Sequence, residues 1–201
     1  MDSDLELLQR WRDGDKRAGQ DLFARHFPAM YRFFEHKVGG EADELVQRTF
    51  TACVTSRDRF RADASFRTYA FAIARKQLYS YLRALPRGEH VDFEATSIAD
   101  LVTSLPSRLG KLQLIEQLRA ALAKLPAEQQ LLLELHYWQD LDANALAEVF
   151  EIPSGTIRVR LLRARKALRA QMGEISESSA AAAQSDQLVV ALTRPESDDP
   201  T

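Results

Sequence analysis

Apolar residues recur at helical spacing over residues 5–12 and again over 16–38, where Leu22, Phe23, Phe27, Met30, Tyr31 and Phe34 form one broad stripe. Gly14 and Asp15 break the run, so two helices are predicted. Gly39 and Gly40 close the second. A third helix is predicted over 41–56, with acidic residues near its start, where the helix dipole favours them. Its stripe of Leu45, Val46, Thr49, Phe50, Cys53 and Val54 packs inward and leaves Asp43, Glu44, Gln47 and Arg48 on or beside the solvated face. After the turn-like RDRFRADAS, residues 66–85 carry a fourth helical pattern. Phe60 and Phe71 are assigned to its core, whereas Phe66 and Tyr69, next to the loop, are the rings expected at the surface.

Residues 86–110 lose this periodicity and contain two prolines and two glycines, so they are predicted to be a linker, with a short helix around 98–101. Helical spacing returns at Leu114, Leu118, Leu122 and Leu125. Pro126 suits the first turn of a following helix whose core face is Leu131, Leu132, Leu135 and either Trp138 or Tyr137. Residues 140–142 form a turn and 143–150 a short helix, and Glu151, Ile152 and Pro153 lead into PSGTIRVRLLRARKALR. At 3.6 residues per turn this last stretch places Ile157, Leu161, Ala164 and Leu168 in one apolar stripe, with Val159, Leu162, Arg163 and Lys166 pointing the other way. A short helix, a three-residue turn and a basic second helix make a helix-turn-helix. From Gly173 onward the sequence is polar, low in complexity and predicted to be disordered, with 188–192 as a short apolar docking element.

The net charge of −2 over 201 residues hides an asymmetry. Arg158, Arg160, Arg163, Arg165, Lys166 and Arg169 lie between residues 154 and 172 with no acidic residue among them. Residues 57–87 hold eight basic residues against Asp58 and Asp63, whereas six acidic residues face only Arg194 from 173 onward. Two basic blocks and an acidic tail point to a polyanion bound at two places. In the first block aromatics alternate with cations, a pattern suited to single-stranded nucleic acid, where rings stack on bases and cations follow the backbone. At the second, Ser154 can cap and Gly155 lets a backbone come close at the positive end of a helix, where a phosphate can rest.

Other chemistries find little support. Cys53 is the only cysteine, which excludes an internal disulfide and a multi-cysteine zinc site. None of His26, His36, His90 and His136 stands in a nucleophile, metal or phosphate-loop pattern, so no catalytic residue, metal or cofactor is expected. The start, MDSDLELLQRW, is acidic rather than an export signal, and no apolar run approaches a membrane span, so a cytoplasmic protein without membrane insertion is expected.

Four blocks, GDKRAGQDLFARHFPAMYRFF, DELVQRTF, FRADASFRTYAFAIARKQLYSYLR and LPAEQQLLLELHYWQDLDANALAEVFEIPSGTIRVRLLRARKAL, follow one another over roughly residues 13–170. In this order and spacing the chain resembles a bacterial RNA polymerase sigma factor of the extracytoplasmic-function (ECF) type, in the sigma-70 superfamily. The resemblance implies an all-α fold of two small helical domains: a region 2 bundle over 1–88 and a region 4 helix-turn-helix over 112–172, joined by a flexible linker over 89–111 and followed by a tail over 173–201. It implies a non-enzymatic partner of core RNA polymerase, touching its clamp coiled coil and flap, and of promoter DNA in duplex and single-stranded form; an anti-sigma factor is a further partner seen in the family.

By the same resemblance, Asp43, Glu44, Leu45, Val46, Gln47 and Thr49 form the polymerase-binding surface, with Arg48 where the family usually has Glu. Arg61, Asp63, Ser65, Phe66, Tyr69, Arg75 and Lys76 read and melt the minus-ten element, with Tyr69 in place of a common Trp and Lys76 of a common Asn. Arg158, Val159, Leu162 and Arg163 read bases of the minus-thirty-five element, while Ser154, Thr156, Arg160, Arg165 and Lys166 contact phosphates. Glu151 stands at a frequent turn glycine or asparagine, where it is expected to strain the turn. The alternative, a helix-turn-helix regulator that is not a polymerase subunit, leaves the aromatic block and DELVQ without a role.

Overall fold

The computed structural model describes residues 2–57, 65–85 and 117–175, and every regular element among them is helical. The linker, its short helix and the tail lie outside the described residues. The described residues divide into two compact units, 2–85 with 144–154 and 117–143 with 155–175.

Local chemistry fixes where the helices start and stop. Helix α1, Asp4–Arg12, opens with a capping box in which the Ser3 hydroxyl accepts from the Glu6 amide at 3.3 Å and the Glu6 carboxylate accepts from the Ser3 amide at 2.6 Å. Helix α2, Lys16–Val38, is capped by Asp15, which accepts from the amides of Arg17 and Ala18. Each cap pairs amides that the first turn of a helix otherwise leaves without a partner. Gly14 (φ 101°) and Gly39 (φ 55°) take left-handed conformations at the breaks either side of α2, where a β-carbon is disfavoured. A 3₁₀ turn, Gly39–Glu41, leads into α3, Ala42–Thr55, and Ser65 caps α4, Phe66–Ala84.

In the first unit α2 packs against α1 and α3, and α3 against α4. Leu7, Leu8, Trp11, Leu22, Met30, Phe33, Phe34, Leu45, Val46, Phe71 and Leu78 fill the core. The stripe expected on α2 is displaced. Its buried positions run Ala18, Leu22, His26, Met30, Phe33, Phe34 and Lys37, so the row containing Phe27 and Tyr31 lies about 100° round the helix. Phe23 still meets Trp11 and Phe50, but Phe27 is 43% exposed and stacks on Tyr31 at the edge of the core. On α3, Val54 likewise faces outward. His26 enters the core with a partner: its Nε2 lies 2.6 Å from an Asp4 carboxylate oxygen. Lys37 is buried over the Phe33 ring and donates to the Phe33 carbonyl at 2.7 Å.

Residues 117–123 are helical and bury Leu118, Ala121 and Leu122. Helix α5, Ala127–Tyr137, follows Pro126 and is buried continuously from Gln130 to Leu135, so its core face is wider than the periodicity suggests. Helix α6, Ala143–Phe150, and helix α7, Ser154–Ile175, are separated by residues 151–153, as expected of a helix-turn-helix. Glu151 in that turn is left-handed at φ 57°. Among the described residues no helix is long and apolar enough to cross a membrane, and no group of three or more His, Cys, Asp or Glu is placed to hold a metal.

Candidate nucleic-acid interface

Helix α7 has the two faces that its spacing predicts. Ile157, Leu161, Ala164 and Leu168 are buried, joined by Met172. Opposite them, Val159 is 47% and Leu162 65% exposed, and Arg158, Arg163 and Lys166 are exposed beside them. Apolar side chains held in water between cations are unfavourable for a merely solvated face but suit a major groove, where thymine methyls and guanine acceptors alternate. Thr156 is exposed and Ser154 half-buried at the helix start.

Two of the basic residues assigned to phosphates are engaged within the fold. Arg160 donates to the Glu128 carboxylate of α5 at 2.5 Å. Arg165 is half-buried, with its guanidinium over the Tyr137 ring and 3.1 Å from His136 Nε2. His136 Nδ1 lies 2.8 Å from the Leu141 carbonyl, which can only accept. Nδ1 therefore donates to that carbonyl and Nε2 accepts from Arg165. Arg165 thus braces the turn after α5 through His136 and the Tyr137 ring, two turns along α7 from Arg158.

The DELVQ block divides between inside and outside. Leu45, Val46 and Thr49 are buried between α3 and its neighbours, and the Thr49 hydroxyl donates to the Leu45 carbonyl at 2.7 Å. In this structure these three hold α3 in place. Asp43, Glu44 and Gln47 are exposed. Arg48 forms an ion pair with Glu44, one turn earlier. Glu44, Gln47, Arg48, Thr51, Ala52, Thr55 and Gln77 line a shallow groove between α3 and α4. Glu35 and Asp43 hold the Tyr31 hydroxyl above its ordinary pKa, a mark of negative potential on this side.

In the aromatic block, Arg61, Asp63 and Phe60 lie outside the described residues. Phe66 is 2% exposed and packs against Trp11, Phe23 and His26, so its expected exposure is corrected. The cause is Trp11, which arrives from α1 to cover it. Tyr69 is half-buried; its hydroxyl lies within hydrogen-bond reach of Ser56 and donates to the Cys53 carbonyl at 3.3 Å, and burial raises its pKa. Ser65 caps α4, its hydroxyl accepting from the Thr68 amide at 3.0 Å. Arg75 is half-buried and lies over Tyr79, and Lys76 is exposed. Phe71 is buried, as expected.

Comparison with known proteins finds a family match in each half of the chain. The family model of sigma-70 region 2 matches residues 22–87, and that of sigma-70 region 4 matches residues 115–168. The ECF RNA polymerase sigma factor SigW of Bacillus subtilis (strain 168) is 24% identical over 179 residues, covering 84% of this chain and 96% of the relative. The ECF RNA polymerase sigma-E factor of Escherichia coli (strain K12) is 25% identical over 176 residues, covering 83% and 92%. Among solved structures, CnrH in complex with the cytosolic domain of CnrY aligns at a TM-score of 0.63 and 22% identity, covering 87% of this chain and 100% of that one. The sigma factor RpoE in complex with the anti-sigma factor NepR from Bartonella quintana aligns at 0.55 and 23% identity, covering 76% and 95%. With both regions present in order and relatives matched nearly end to end, the chain belongs to the sigma-70 family, in its ECF branch, whose members direct RNA polymerase to promoters.

Proposed function

We propose that this protein binds core RNA polymerase, directs it to promoters with two recognition elements, and helps to open the duplex at the nearer one. The observation that carries this reading is the outer face of α7, where Arg158, Val159, Leu162 and Arg163 are exposed together opposite a fully buried stripe. Arg158 and Arg163 suit guanine edges, a bidentate contact contributing about 1–3 kcal/mol of discrimination, and Val159 and Leu162 suit thymine methyls. Ser154, Thr156 and Lys166 serve the flanking phosphates, which fix register. Arg160 joins them when DNA displaces its exposed partner Glu128.

Asp43, Glu44 and Gln47 dock on the clamp coiled coil, and the helix-turn-helix unit meets the flap. The segment from Arg61 to Lys76 engages the minus-ten element and captures an unstacked base; unstacking costs a few kcal/mol, which a preformed pocket offsets. With Phe66 in the core, Ser65, Tyr69, Arg75 and Lys76 are the described side chains left for this work. An anti-sigma factor is a fitting regulator, since RpoE of Bartonella quintana is held by one. Mapping transcript 5′ ends after overexpression tests the reading. Two shared upstream elements at fixed spacing support it; start sites with no common upstream sequence overturn it.

A further inference from the structure

Over residues 154–172 helix α7 carries six basic residues and no acidic one, yet a carboxylate reaches it from another helix. Glu128, in the first turn of α5, accepts from Arg160 Nη1 at 2.5 Å. Arg160 stands one turn before Arg163, and Glu128, Gln129, Leu132, Arg160 and Arg163 line one hollow between α5 and α7. The carboxylate thus lies on the side of α7 that carries Arg163, a proposed base reader. A guanidinium meets in a carboxylate the same kind of charged oxygen acceptors that a phosphate offers. The two side chains are 40% and 49% exposed, so the pair is weak enough for a phosphate to compete with it.

We propose that Glu128 is a specificity-determining residue for the duplex element: it occupies Arg160 as a DNA phosphate would, and so withholds that cation from DNA lacking the element. This inference rests on the duplex reading of α7 given above. On the matching element, base contacts by Arg158, Val159, Leu162 and Arg163 fix the register, and the backbone is held where a phosphate displaces Glu128. On other sequences no register is fixed, Arg160 stays with Glu128, and the carboxylate repels the backbone. Specificity is a difference of two affinities, so weakening the wrong complex raises it as strengthening the right one does. A carboxylate in the first turn of α5 also suits the helix dipole. That role alone predicts a change in stability and none in DNA preference.

The test uses holoenzyme reconstituted with core polymerase, with binding counted in excess of core enzyme alone. Two short labelled duplexes are titrated over a range of salt concentrations, one carrying the mapped minus-thirty-five element and the other its scrambled sequence. Glu128→Gln, an exposed substitution that keeps the side chain's size, is expected to tighten binding to the scrambled duplex about fivefold and to the matching one by less than about twofold. The dependence of log affinity on log salt is expected to steepen by about 0.9 on the scrambled duplex, the mark of one further phosphate contact, and to stay the same on the matching one. In Glu128→Gln with Arg160→Gln the gain on the scrambled duplex is expected to disappear, because it acts through Arg160. An unchanged ratio of the two affinities in Glu128→Gln overturns the proposal, as does a gain that persists in the double variant. If the parent holoenzyme binds the matching duplex no better than the scrambled one, the duplex reading itself fails and takes the proposal with it.

Discussion

Arg48 donates to the carboxylate of Glu44, one turn earlier on the exposed face of α3. Both side chains are more than half exposed, so the pair contributes only about 0.3–0.5 kcal/mol to the fold. Its larger effect is on the surface, where a cation offsets one of the two carboxylates proposed to meet polymerase. Arg48→Ala is therefore expected to leave the melting temperature nearly unchanged and to tighten core polymerase binding several-fold at low salt, with the gain fading as salt rises. Asp43→Lys with Glu44→Lys is expected to weaken binding tenfold or more. Fluorescence anisotropy of labelled protein against core enzyme measures both; unchanged affinities would remove α3 from the interface.

Arg163 and Arg165 stand two residues apart but face different surroundings. Arg163 is exposed beside Leu162, whereas Arg165 is held by His136 and Tyr137. Arg163→Ala is expected to relax preference at one base pair of the minus-thirty-five element by about 1–3 kcal/mol, with little change in stability. Arg165→Ala is expected to destabilise the fold by about 1 kcal/mol and leave base preference intact. Binding to a panel of single-base variants, with urea unfolding alongside, distinguishes these outcomes.

Stability is expected to fall on acidification through the His26–Asp4 contact. Burial pushes the His26 ring below its ordinary pKa, outweighing the upward pull of Asp4, and Arg67 and Arg25 push in the same direction. The folded protein thus holds fewer protons here than the unfolded chain, and stability is lost as pH drops through the unfolded value of about 6.5 toward the lower folded one. For Asp4, burial pulls upward, but the hydrogen bond from Arg25 and the contact with His26 together hold its pKa below the ordinary value. Its contribution is present above the unfolded carboxylate range and is lost as pH falls through the folded value, so both groups act with the same sign. Urea midpoints are expected to decline between pH 7.5 and 5, and His26→Gln to flatten that part of the curve.

Burial pushes the Cys53 thiol up to about 12, which leaves almost no thiolate at neutral pH. A thiol reagent is expected to label the native protein at the rate of unfolding and the urea-unfolded protein at once. Rapid labelling of native protein would show that α3 does not pack as described.

The ends of α2 were legible because they rest on local chemistry, with Asp15 capping one end and Gly39 left-handed at the other. The two faces of α7 were legible because a strict helical period separates Ile157 and Leu161 from Leu162 and Arg163. Glu151 was expected to be strained, and its positive φ is the backbone conformation that favours glycine at such a turn. The phase of α2 was not legible, because its stripe includes two adjacent aromatic rows and the true seam contains a histidine that needs Asp4 from another helix. The burial of Phe66 escaped for a similar reason: it depends on Trp11, far earlier in the chain, and on the space left by Gly19. Within DELVQ, a single helix carries core and surface positions side by side, and a block match does not separate them.

Run-off transcription with purified core polymerase, on a template drawn from the mapped start sites, tests the central claim most directly. The account predicts a transcript of defined length only when this protein and core enzyme are both present, and its loss when either upstream element is scrambled. Binding of the protein to the duplex without any promoter-specific transcript would contradict it and leave a helix-turn-helix regulator in its place.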